Sequence, residues 1–186
     1  LFYRIVARIA VGLNRRLRVL SNQIYENKKD VQVMSGFRQE HDSLGQREIS
    51  DHVYSGVQTQ RAMENFSISG VRVSNFEHLV DGLAMVKKAA AIANHELGVI
   101  DEEKMKAICA ACDELLGGKL REHFSVDMFQ GGAGTSTNMN ANEVIANRGL
   151  ELMGFNKGEY QHLHPNDHVN CSQSTNDAYP TAIKLG

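Results

Sequence analysis

Gln130-Gly131-Gly132-Ala133-Gly134-Thr135-Ser136-Thr137-Asn138-Met139-Asn140-Ala141-Asn142-Glu143 decides how the rest of the chain reads. Glycines at 131, 132 and 134 free the backbone for φ > 0 and for close approach to a ligand, and hydroxyl and amide side chains follow at once. Beyond Glu143, the apolar residues Val144, Leu150 and Met153 recur with roughly helical spacing, and Gly154 stops the run. The loop therefore feeds a helix N-terminus. Backbone N–H groups there lack intrahelical partners, and the positive end of the helix dipole favours anions. Thr135, Ser136 and Thr137 thus sit where a carboxylate or phosphate binds. The same residues also read as a plain glycine-rich turn with Ser136 or Thr137 as N-cap, and the local pattern leaves both readings open.

Downstream, residues 158–177 are dense in hydrogen-bonding side chains and poor in apolar ones, as in a solvated loop or a lined polar site. His164 and His168 have the i, i+4 spacing of a metal-binding helix. Pro165 between them argues against helical presentation, no third ligand is marked, and no metal site is assigned. Ser174-Thr175-Asn176 offers two hydroxyls and an amide immediately before a second helix start, with Asn176 or Asp177 as N-cap and Pro180 in the first turn. Capping and ligand binding are compatible here, because the orphan N–H groups serve both.

Upstream, Phe76, Leu79, Leu83, Val86, Ala90 and Leu97 fall at largely i+3 and i+4 intervals, and Gly98 closes the run. Asp101 then caps a helix whose stripe is Met105, Ile108, Cys112, Leu115 and Leu116, ended by Gly117-Gly118. These two helices read as scaffold, with Lys87 and Lys88 as solvated or packed stems. Cys109 and Cys112 form a C-x-x-C within the second helix and read as core cysteines, since no second ligand pair accompanies them. Residues 37–70 show no clean period and read as irregular or short extended structure with a helical turn near Thr59 to Asn65. Arg61 suits a carboxylate ligand, and equally a surface pair with Glu64 one turn away.

Composition bounds the class. At 186 residues, 42% hydrophobic and 23% charged, the chain suits one globular domain, or one domain and a piece of another. A net charge of −2 gives no field favouring nucleic acid. Three cysteines without a disulfide-like spacing fit a reducing, cytoplasmic setting. Residues 1–36 form a basic extension: five arginines precede any acidic residue, an acid-poor amphipathic start similar to a mitochondrial transit peptide. Because Met34 precedes the first globular-looking segment, residues 1–33 also read as upstream sequence. Their apolar runs fall short of the ~20 residues a membrane span needs.

The motifs from Gly131 to Asn147, His164 to Asn170 and Gln173 to Thr181 resemble, in order and spacing, the fumarase/aspartase superfamily. The resemblance runs from near Arg38 to Gly186. Asp42 to Gly45, Gly56 to Phe66 and Val86 to Ala91 support it. Gly-Gly-Ala-Gly-Thr-Ser and Gln-Ser-Thr-Asn-Asp-Ala look like the aspartate ammonia-lyase branch, while class II fumarases carry Gly-Ser-Gly-Thr-Gln and Ser-Ser-Asn at those places. The implied fold is mainly α: the lyase N-terminal domain over residues 37–176, and the start of the central long-helix bundle over 177–186.

The implied reaction is reversible anti-elimination of ammonia from L-aspartate to fumarate through an aci-carboxylate. Carried over by position, Thr135, Ser174, Thr175 and Asn176 are catalytic, and Thr135, Ser136, Ser174, Thr175 and Asn176 bind substrate. His164, Asn166 and Asp167 match a secondary carboxylate site. No redox cofactor is implied, although a divalent cation such as Mg2+ activates some members. The implied partners are L-aspartate, fumarate, ammonia and further copies of the protein in a homotetramer, with no nucleic acid and no membrane. The family's Thr-His or Thr-Gln segment and its Gly-Ser-Ser loop, which supplies the serine base, would lie beyond Gly186, and active sites combine three subunits. The 186 residues alone are therefore expected to be inactive. The absence of the frequent proline near Ile49-Ser50 puts no functional residue in doubt. A class II fumarate hydratase is the rival enzyme, and a non-catalytic structural protein on the same scaffold is the rival of another class.

Overall fold

Elements between residues 57 and 116 hold the long helix that follows the glycine loop. The computed structural model describes residues 36–186. The basic extension and its transit-peptide alternative, Gly36 apart, lie outside the described residues. Phe37–Gly186 is a single compact unit.

Strands β1 (Phe37–Asp42) and β2 (Gly45–Ser50) form an antiparallel hairpin, with Phe37 opposite Ser50 and Asp42 opposite Gly45. Asp42 Oδ1 accepts from Leu44 N at 2.9 Å, and Gly45 takes φ +110°. The helical turn expected near Thr59 to Asn65 is helix α1 (Val57–Asn65). The hairpin was not legible because it alternates so little: only Glu40 and Ile49 are buried along it. Arg61 of α1 does not pair with Glu64. It grips Asp42 bidentately, Nε to Oδ2 at 2.7 Å and an Nη to Oδ1 at 2.9 Å, because the hairpin packs on α1 and offers a better-shaped partner. That guanidinium holds the Asp42 carboxyl below its usual range.

Helices α2 (Glu77–Glu96) and α3 (Glu102–Leu116) form as their periodicity predicts. Gly98 closes α2 at φ +71°, and Asp101 caps α3 by accepting from Lys104 N at 2.8 Å. Leu83, Ile108 and Leu115 are fully buried between them, each contributing roughly 1.5–3 kcal/mol on burial. Cys112 is fully buried and both cysteines of the C-x-x-C are free thiols, as the core reading expects.

Helix α4 (Thr135–Leu152) lies across this pair and against α1. It begins at Thr135, so the whole hydroxyl and amide run is helical. Its buried face is largely polar: Thr137, Asn138, Asn140, Asn142, Glu143 and Asn147 are buried beside Val144, Ile145 and Leu150. A π-helical turn (Pro165–Val169) leads to helix α5 (Thr175–Leu185), which packs on α2 at a close crossing. A Cβ on Gly82 would lie 2.3 Å from the carbonyl oxygen of Ala182, so only glycine permits that approach. Among the described residues, no helix is long and apolar enough to cross a membrane.

Candidate functional site

Two helix N-termini meet at one place. At the first, Gly134 is the N-cap of α4 at φ +82°, with no side-chain cap, so neither Ser136 nor Thr137 caps the helix. The capping work falls to Gln130. Its Oε1 accepts from Thr137 N at 2.8 Å while its Nε2 donates to Thr137 Oγ1. Gln130 follows a pinned turn, in which Asp127 accepts from the backbone N–H of Ile68, Ser69, Gly70 and Phe129. Thr137 is thereby consumed and buried, whereas Thr135 is exposed and Ser136 half-buried. At the second, Ser174 is the N-cap of α5, its Oγ accepting from Asn176 N at 3.2 Å, in place of Asn176 or Asp177. Starting the helix at Thr175 moves Pro180 into the second turn.

The two starts are locked together. The Tyr179 ring lies against Gly134, where an added Cβ would come within 2.2 Å of it. Asn138 of α4 donates from Nδ2 to Thr175 Oγ1 at 3.1 Å. The start of α4, with Thr135 and Ser136, and the start of α5, with Ser174, Thr175 and Asn176, are therefore neighbours that present hydroxyl, amide and backbone N–H donors, with Thr135, Ser174 and Asn176 exposed. Such a cluster suits a carboxylate.

His164, Asn166 and Asp167 gather elsewhere, at the π-helical turn. His164 Nδ1 accepts from Asn166 N and Asp167 N, both at 3.1 Å, and His168 Nδ1 accepts from His164 N at 2.8 Å. Each ring therefore carries its hydrogen on Nε2 when neutral. Burial holds His168 below the ordinary histidine range. His164 and Asp167 line a cavity of about 800 Å³ with Glu40, His41, Asp42 and Tyr160, and His164 and Asn166 line an adjoining one of about 370 Å³ with Gln58 and Glu143. Among the described residues, no group of three or more His, Cys, Asp or Glu side chains is placed to hold a metal ion.

Sequence reading missed the supports beneath the cluster. Of the two readings of Lys87 the packed one holds: it is buried throughout, and its Nζ donates to Asn170 Oδ1 and Gln173 Oε1, both at 2.9 Å. Lys88, one residue on, is half-buried and pairs with Asp113. Burial pushes the Lys87 ammonium down to about 7, with Cys112 opposing the shift. The unfolded chain therefore holds a proton at Lys87 that the folded chain gives up between pH ~7 and ~10.5, so this residue makes stability rise with pH across that window. In urea unfolding, replacing Lys87 with Met should remove a slope of at most about 1.4 kcal/mol per pH unit from the wild-type profile. Profiles of equal slope would refute it.

Glu143 was also missed. It is fully buried and accepts from Gly56 N, Gln58 N, Thr59 N and Thr59 Oγ1 at 2.8, 2.7, 3.1 and 2.6 Å, so it ties α4 to the start of α1. Burial raises its carboxyl to about 7 against the pull of Thr59 and the backbone donors. The only hint in the sequence was an apolar segment broken by isolated asparagines and one glutamate.

Comparison with known proteins places this geometry among relatives. A family model described as "Lyase" matches residues 45–186. The curated aspartate ammonia-lyase of Helicobacter pylori strain J99 is 62% identical over 148 residues, covering 80% of this chain and 32% of that protein. The crystal structure titled fumarate lyase:delta crystallin from Brucella melitensis, in native form, superposes with a TM-score of 0.79 at 60% identity, over 80% of this chain and 35% of that one. A class II fumarase from Schistosoma mansoni gives 0.73 at 39% identity, over 81% of this chain and 31% of that one. The chain spans about a third of the length of the curated relatives it matches.

Proposed function

The chain belongs to the lyase family whose model spans residues 45–186, and from that premise we propose that the full-length protein is an aspartate ammonia-lyase. Its mainly helical fold is that of the fumarase/aspartase lyases. The observation that carries the reading is the meeting of the α4 and α5 starts, whose first turns and caps carry Thr135, Ser136, Ser174, Thr175 and Asn176. Identity of 62% to an aspartate ammonia-lyase, against 39% to a class II fumarase structure, favours ammonia over water as leaving group.

The chemistry explains the residue types. Removal of a proton from C3 of L-aspartate leaves a carbanion that delocalises into the adjacent carboxylate as a doubly charged aci-carboxylate, and the amine then departs from C2 to give fumarate. Negative charge grows on carboxylate oxygens, so fixed O–H and N–H donors bind the intermediate better than the substrate. Each such donor is worth roughly 3–4 kcal/mol in oxyanion sites. The donors of the cluster stabilise charge; they do not remove the proton, and we assign the base to another segment of the full-length lyase. No redox step is involved. The divalent-cation activation expected from the resemblance finds no donor set among the described residues, and the mechanism uses none. His164, Asn166 and Asp167 form a second carboxylate site apart from the first. We further propose a cytoplasmic homotetramer.

The test is fumarate release, followed by absorbance, by the full-length lyase given L-aspartate or L-malate. Turnover of aspartate alone is expected. Turnover of malate alone would make it a fumarase, and silence with both would make it a scaffold without this chemistry.

A further inference from the structure

Thr175 Oγ1 receives one hydrogen of the Asn138 amide at 3.1 Å, and the other goes to Asn170 Oδ1 at 3.0 Å. Asn138 is fully buried, yet its Oδ1 has no hydrogen-bond partner among the described residues. An unpartnered buried oxygen of this kind costs about 1–3 kcal/mol. Turning the amide over is nearly isosteric and would give that oxygen the Thr175 hydroxyl as a donor. The turned amide, however, would set Asn138 Oδ1 against Asn170 Oδ1, acceptor against acceptor.

The orientation of Asn170 is fixed from its other side. Lys87 Nζ donates to Asn170 Oδ1, and Asn170 Nδ2 donates to Gln173 O at 3.1 Å. In its charged form, which dominates below pH ~7, Lys87 has hydrogens to give and no lone pair to receive them. The charged Lys87, which only donates, and the Gln173 backbone carbonyl, which only accepts, are thus the two ends of the series that cannot reverse. Every polarity beyond them follows: Asn170 accepts, Asn138 donates, and Thr175 accepts.

We propose that Lys87 is a positioning residue for Thr175: it orients the Asn170 and Asn138 amides so that the Thr175 hydroxyl is left with its hydrogen free for a substrate carboxylate. A hydroxyl has a single hydrogen, and the hydrogen of Thr175 has no described acceptor inside the protein. Without Lys87 the Asn170 amide is held by the Gln173 carbonyl alone, so the Asn170 and Asn138 amides turn together more readily and the Thr175 hydrogen is drawn inward to Asn138. The proposal rests on the assignment of Thr175 to the carboxylate cluster.

A double-substitution cycle in the full-length lyase tests it, with kcat/KM for L-aspartate as the readout. Thr175→Val should lower kcat/KM about 10²-fold, as loss of one oxyanion donor does. Lys87→Met should lower it roughly 10- to 100-fold, and the double variant should stay within about threefold of Thr175→Val alone, because both remove the same hydrogen. A double variant showing the product of the two losses would overturn the proposal while leaving the site assignment in place. An unaffected Thr175→Val would overturn both. Should Lys87→Met fail to assemble, the isosteric Asn138→Asp decides: aspartate has no hydrogen to give, so Thr175 must donate inward and the loss should match that of Thr175→Val. Unimpaired turnover in that variant would refute the proposal.

Discussion

Thr135→Ala or Asn176→Ala should each lower kcat/KM for L-aspartate by roughly 10²-fold in the full-length lyase while leaving its assembly intact. Both side chains are exposed, and neither takes part in a described side-chain hydrogen bond, so neither carries packing that the fold would miss. Substitutions of that kind usually change stability by less than about 0.5 kcal/mol. Thr135 occupies the first turn of α4, where alanine is tolerated, and Asn176 occupies the first turn of α5 behind the Ser174 cap. The loss should fall mainly on kcat, because the donors act where charge develops. Steady-state kinetics with size-exclusion chromatography separate the two effects, and near-normal turnover would remove the residue concerned from the site.

Gly134→Ala should cost about 2–5 kcal/mol and abolish aspartate turnover, for two reasons that add. The position sits at φ +82°, which costs an L-residue roughly 1–2 kcal/mol. Its Cβ would also lie 2.2 Å from Tyr179, and forcing apart a packed contact of that kind costs roughly 1–3 kcal/mol. Tyr179 belongs to α5, so relief of the clash moves Ser174, Thr175 and Asn176 away from Thr135. Gly154→Ala is the control. It has φ +84° and nothing within 4 Å of the added carbon, so it should lose only the backbone part and keep its activity. Equal loss in thermal unfolding for the two variants would show that the Tyr179 contact does not matter.

What the sequence revealed follows from what dominates each segment. Helices α2 and α3 were legible because their cores are apolar stripes, and burial of Leu83, Ile108 and Leu115 enforces a 3.6-residue period. The donor residues at both helix starts were legible because glycine and hydroxyl clusters serve a local backbone need. Their caps were misplaced by two or three residues. In α4 the cap came from Gln130, across a loop whose path no local pattern reports. The hairpin stayed hidden because a two-stranded sheet with one face in solvent buries only Glu40 and Ile49. Lys87, Asn138 and Glu143 were hidden for the opposite reason. They are polar residues at core positions, and their partners lie 32 to 87 residues away in sequence. Only tertiary contact shows that Lys87 is buried and its neighbour Lys88 is not.

The central claim is that the α4 and α5 starts form the carboxylate receptor. The most direct measurement is diffraction from crystals of the full-length lyase soaked with L-aspartate or succinate. A carboxylate is expected whose oxygens lie within about 3.2 Å of the Thr135 and Thr175 hydroxyls and the Asn176 amide, the ordinary range for such bonds. A dicarboxylate bound only in the cavity beside His164 and Asp167, with the α4 and α5 starts bare, would contradict it.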